Sequence, residues 1–83
     1  MNEEEKEEYE DLQYQKYAIE QTLIDITDPD FDIRGITVKL RDKKTYKTYS
    51  SSLYDLSKEL QEDIISILNK EKKRIEKRLK KII

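Results

Sequence analysis

Residues 36–49, ITVKLRDKKTYKTY, decide how the chain is read. Ile36, Val38 and Leu40 alternate with Thr37, Lys39 and Arg41, which is the period of a strand with one face half buried. Thr45 to Tyr49 is rich in Thr and Tyr, residues that suit a pleated surface, and predicts a second strand. Asp42-Lys43-Lys44 lies between them as the turn. It holds no Gly, so a two-residue primed turn is disfavoured, and a loop of three or four residues with a lysine near the left-handed region is expected. A three-residue loop would set Tyr46 on the apolar face and Tyr49 outside. The central segment is thus a β-hairpin over residues 33–50.

Outward from the hairpin the period changes. On its N-terminal side Tyr9, Leu12, Lys16, Ile19, Leu23 and Ile26 follow a 3,4 spacing, and Tyr17 and Ile24 widen that stripe, so residues 1–27 read as a helix. Pro29 ends it, because the residue before a proline is biased away from helical φ/ψ. The state of the acidic first turns, residues 1–8, is left open by the pattern. On the C-terminal side Leu53, Leu56, Leu60, Ile64, Ile67, Leu68, Ile75, Leu79 and Ile82 keep one face apolar and predict a long helix over 53–82. Its start has two candidate caps, Ser52 with Asp55 three residues on, and Ser57 before Lys58. From either start it spans roughly 35 to 45 Å at about 1.5 Å per residue.

A hairpin leaves and returns on the same side, so the two helices should run antiparallel. The fold class expected is mainly α with a small β-hairpin, in the order α-β-β-α, the helices packed like a coiled coil and residues 1–83 forming a single domain. This layout, two long helices clasping a hairpin, resembles in arrangement the subunits of prefoldin, the hexameric chaperone with antiparallel coiled-coil tentacles. The resemblance lies in the order of elements and implies no functional residues.

Charge supports the antiparallel arrangement. The 83 residues carry 17 bases and 19 acids, a net charge of −2, but the two signs are separated along the chain. Glu3 to Asp11 holds seven acids and one base, and Lys70 to Lys81 holds eight bases and two acids. Each end repels itself along an i,i+4 row, and together they neutralise each other while matching the helix macrodipoles. Exposed pairs stabilise by only about 0 to 1 kcal/mol each, so their expected role is to set register.

Composition excludes several chemistries. Without Cys there is no disulfide, thiolate nucleophile or Cys-based zinc site, and without His the commonest acid/base and metal-binding side chain is missing. Asp28, Asp30 and Asp32 are spaced like the first ligands of a calcium loop, but Ile33 and Lys39 stand where such a loop needs Gly and Glu, so they read as turn formers and no metal is expected. No cofactor is expected, and neither is an enzyme, because nothing singles out two of the 19 carboxylates. The N-terminus lacks the basic start and apolar run of a signal peptide and no stretch has membrane-span length, which predicts a soluble cytoplasmic protein without a membrane partner.

The candidates for function are therefore surfaces. With 35% hydrophobic and 43% charged residues the core must be thin, so burial in a homo-oligomer, a dimer or higher, is expected. Self-association and core packing would use Leu12, Ile19, Leu23, Leu60, Ile64, Ile67, Leu68, Ile75 and Leu79. The alternative is binding of nucleic acid or a small nucleotide through Arg41, Lys43, Lys44 and Lys47 with Tyr46 and Tyr49, cations for phosphates and ring faces for bases. Tyr and Thr are equally ordinary strand formers, and edge lysines protect strands from aggregation. The abundance of Lys, Glu, Ile and Tyr with little Ala or Gly looks like an AT-rich genome, and such small bare chains resemble phage accessory proteins that inhibit host defence by occlusion. The leading expectation is a small interaction module that binds protein and itself.

Overall fold

The computed structural model describes residues 1–82 and has the order α1 (Glu3–Ile26), β1 (Gly35–Arg41), β2 (Thr48–Tyr54), α2 (Lys58–Ile82). The acidic start is helical from Glu3. Asn2 caps it, its Oδ1 accepting the Glu5 N–H at 2.8 Å, and Glu3, Glu4 and Glu5 then lie against the positive end of the macrodipole. At the other end the Thr27 N–H donates to the Leu23 carbonyl at 3.0 Å, and Pro29 follows. The Asp30 N–H donates to Asp28 Oδ1 at 2.8 Å, an Asx turn that starts the chain toward the hairpin.

The helices pack antiparallel along the 3,4 seam. In α1, Tyr9, Leu12, Lys16, Ile19, Leu23 and Ile26 are all half-buried, whereas Tyr17 and Ile24, the flank of the expected stripe, are exposed. In α2, Leu60, Ile64, Ile65 and Leu68 are half-buried and Ile75, Leu79 and Ile82 are the buried core of the described residues. Ile67 is 62% exposed, outside the seam to which its spacing assigned it. The reason is phase: the contact row runs 61, 65, 68, 72, 75, 79, 82, which turns Ile65 inward and Ile67 away.

The core therefore sits at the end of the pair where acidic α1 meets basic α2. Arg78 grips Glu8 with both ends of its guanidinium, Nε to Oε1 at 2.5 Å and an Nη to Oε2 at 2.9 Å. Nearer the middle, Lys72 lies 3.8 Å from Glu20, which also meets Lys16 at 3.8 Å. The Arg78–Glu8 and Lys72–Glu20 contacts cross between helices in antiparallel order and fix their register, while Lys16–Glu20 lies within α1; exposed as they are, their part in overall stability is small.

The second helix starts at the later of the two caps. Ser57 Oγ accepts the Leu60 N–H at 3.1 Å, and the Gln61 N–H closes the first turn on the Ser57 carbonyl at 3.0 Å. Leu53 belongs to β2 instead of the helix, Leu56 lies in the connection, and the hairpin runs four residues past position 50, to Tyr54. Among the described residues no helix is long and apolar enough to cross a membrane.

Candidate interaction surface: the free hairpin

The hairpin pairs Gly35 with Tyr54, Ile36 with Leu53, Val38 with Ser51, Leu40 with Tyr49 and Arg41 with Thr48. Directly opposed residues share a face, so Ile36, Val38, Leu40, Tyr49, Ser51 and Leu53 form one side. Thr37, Lys39, Arg41, Thr48, Ser50 and Ser52 form the other, where the Thr37 and Ser52 hydroxyls bond at 3.1 Å. Tyr49 is thus on the apolar face and Tyr46 is not in a strand, the reverse of the arrangement that a three-residue loop implies.

The turn explains the reversal. The Asp42 N–H donates to the Lys47 carbonyl at 2.9 Å, leaving Lys43 to Tyr46 as a four-residue loop. One Asp42 carboxylate oxygen accepts the N–H groups of Lys44 at 2.8 Å and Thr45 at 3.0 Å, and the Asp42 carbonyl accepts the Tyr46 N–H at 2.9 Å. The residue in the left-handed region is Tyr46, with φ 61°, not a lysine. The bonds from the Thr45 and Lys44 amides hold the Asp42 carboxyl below its ordinary value, since they favour the charged form. Arg41 stacks over the Tyr46 ring with its guanidinium carbon 5.7 Å from the centroid.

At the base, Gly35 is required by close approach. A Cβ there would lie 2.9 Å from the Leu53 carbonyl oxygen, and the Tyr54 ring covers the space that the missing side chain leaves. Asp55 leaves the ladder in the left-handed region, φ 58°, its N–H still donating to the Arg34 carbonyl at 3.2 Å. Gln61 ties both legs to α2: its Oε1 accepts the Ile33 N–H at 3.3 Å and its Nε2 donates to the Leu56 carbonyl at 3.2 Å. No periodicity signalled Gln61; its place one turn inside a capped helix is the only trace of it in the sequence.

Beyond this base the hairpin stands free. Neither strand approaches either helix among the described residues, and no residue of β1 or β2 is buried. Val38, Leu40, Tyr49 and Leu53 are 46%, 52%, 56% and 57% exposed on one face of a two-stranded ribbon with nothing against it. The sequence-predicted cations divide by place. Arg41, Lys43, Lys44, Tyr46 and Lys47 gather at the tip, while Tyr49 lies on the apolar face below it. Leu12, Ile19, Leu23, Leu60, Ile64, Leu68, Ile75 and Leu79 line the helical pair, away from the hairpin.

The molecule is flat and open. It measures 46 × 37 × 17 Å with a radius of gyration of 15.8 Å, against about 12 Å for a compact chain of this length. It exposes 7422 Å², against roughly 5,300 Å² for a compact monomer of the same mass. Comparison with protein-family models, with curated proteins and with solved structures finds no match to this chain, so neither fold kinship nor function comes from a relative.

Proposed function

We propose that the protein is a small non-enzymatic interaction module that binds protein, including itself, and that the projecting hairpin is its working element. The observation that carries this reading is the exposed row Val38, Leu40, Tyr49 and Leu53, continued by the half-buried Ile36, on a ribbon that neither described helix covers. An isolated two-stranded hairpin is marginal in water, and a third strand or an apolar cover makes it stable. An excess of roughly 2,000 Å² over a compact monomer is also of the size that a standard protein interface removes. The helical pair serves as the rigid mount, and Gln61 as its fastening to the ribbon.

Native mass spectrometry of protein purified without denaturation tests the proposal. A dimer or higher oligomer at the bare polypeptide mass, dispersed by Leu40→Asp with helix content retained, supports it. A monomer that retains no partner at any concentration contradicts it. A second reading, binding of nucleic acid or a nucleotide, is favoured by the gathering of Arg41, Lys43, Lys44, Lys47 and Tyr46 at one tip. It predicts a reproducible excess mass that disappears when Lys43, Lys44 and Lys47 are changed to Glu.

A further inference from the structure

The two edges of the ribbon are unlike. β1 carries Lys39 and Arg41, charges of the kind that keep a sheet edge from pairing. β2, Thr48–Tyr54, reads TYSSSLY, with no charge, no Pro and no Gly. A seven-residue uncharged strand whose outer edge is open is a template for another strand.

Its backbone phase can be assigned. In an antiparallel ladder hydrogen-bonded and non-bonded pairs alternate. The bonds at the two ends of this ladder, Asp42 N–H to the Lys47 carbonyl and Asp55 N–H to the Arg34 carbonyl, put the bonded pairs at even positions of β1 and odd positions of β2. Tyr49, Ser51 and Leu53 therefore spend their backbone groups on β1. Thr48, Ser50, Ser52 and Tyr54 turn theirs outward, and these amides and carbonyls have no protein partner among the described residues.

We infer that the free edge of β2 pairs antiparallel with β2 of a second copy, about a two-fold axis at Ser51. This rests on the reading of the hairpin as the working element and names its partner. In that register Ser50 faces Ser52 of the other copy, with outward backbone groups on both sides, Tyr49 faces Leu53, and Ser51 faces itself. The same register sets Lys47 of one copy opposite Asp55 of the other at both ends, whereas a slip of two residues in either direction loses that match. A slip of one residue fails altogether, because it sets outward groups against inward ones.

Charge at longer range agrees. Antiparallel pairing brings the tip of each ribbon beside the base of the other. The tip, residues 39–47, holds five bases and one acid; the base, residues 25–34 and 55–63, holds eight acids and two bases. The pairing joins opposite fields, whereas a parallel arrangement would set tip against tip. The product is a four-stranded sheet β1-β2-β2-β1, beyond the three strands at which a sheet becomes independently stable, with both apolar rows on one face.

Ser51→Cys tests the register, and the chain has no Cys to confuse the result. At the axis two opposed non-bonded residues lie about 4.5 Å apart between Cα atoms, within disulfide reach. With oxidised glutathione Ser51→Cys should become a covalent dimer, while Ser50→Cys, whose two copies sit about 7–8 Å apart on the diagonal, should lag by at least about tenfold. Ser50→Pro removes an outward N–H and leaves the β1 ladder its bonds, so it should raise the dissociation constant of the wild-type oligomer by about tenfold or more. Equal cross-linking at 50 and 51, or a Ser50→Pro oligomer as tight as wild type, would overturn the β2 pairing while leaving self-association by another face. A wild-type protein that is monomeric at all concentrations would overturn both.

Discussion

The helical pair and the hairpin are built on opposite terms. The pair brings together residues far apart in sequence: Ile75 is 3% exposed, and Glu8 is held by Arg78 seventy residues away. The hairpin is closed by neighbours, Asp42 on Lys44 and Thr45, and none of its strand residues is more than half-buried. One region is packed by the chain itself, and the other stands without a covering layer among the described residues. Where a chain with so little apolar material leaves a row of it uncovered, the physical expectation is that something outside the chain completes it.

The contrast can be broken most forcibly at the buried end. Leu79→Ala should cost about 2–5 kcal/mol, read as a large fall in the helix melting temperature, because the cavity cannot be filled from a neighbouring layer. The fastening of the hairpin's legs at Ile33 and Leu56 should loosen with the pair, since it is made by Gln61 of α2, while the turn keeps its local bonds. Gly35→Ala comes next. A methyl group 2.9 Å from the Leu53 carbonyl forces the strands apart at the base, by about 1–3 kcal/mol of strain, and the loss should show in hairpin chemical shifts with helical circular dichroism unchanged.

Smaller effects sharpen the comparison. Asp42→Ala removes the acceptor of two turn amides, so Lys44 and Thr45 amide exchange should accelerate while α1 and α2 keep their protection. Smallest is Glu8→Gln, read through pH. The Arg78 guanidinium, hydrogen-bonded to Glu8, holds that carboxyl below its ordinary value. A depressed folded value means that the unfolded chain binds the proton more readily, so the pair's contribution is present above the ordinary carboxylate range and is lost as pH falls through the folded value. Glu8→Gln should lower helix stability slightly at neutral pH, where the pair contributes, and leave it nearly unchanged below the folded value, so that the acid side of the profile flattens.

How legible each region was follows from the same contrast. The helical seam was written in period: Tyr9 to Ile26 and Leu68 to Ile82 repeat at 3,4 spacing, and the hairpin between them implied the antiparallel sense, with which the separated charges agree. The hairpin's existence was legible from Ile36, Val38 and Leu40, but its register was not. That depended on Asp42 binding two amides and on Tyr46 taking a left-handed conformation that its residue type does not advertise. The end of β2 was hidden for a different reason. Ser51 interrupts the apolar alternation of Tyr49 and Leu53, while Leu53, Leu56 and Leu60 happen to fall at helical spacing, so a strand end imitated a helix start. The serines that obscured the strand are also what leaves its edge uncharged.

Residue-resolved amide hydrogen exchange across a concentration series tests the central claim, that the hairpin is completed by a second copy along β2. The Ser50 and Ser52 amides point away from β1 and have no acceptor among the described residues. The account predicts that they become protected as concentration rises, together and in step with oligomer formation, while Ile75 and Leu79 stay protected throughout. Free exchange at Ser50 and Ser52 at every concentration, with the rest of the ladder protected, would contradict it.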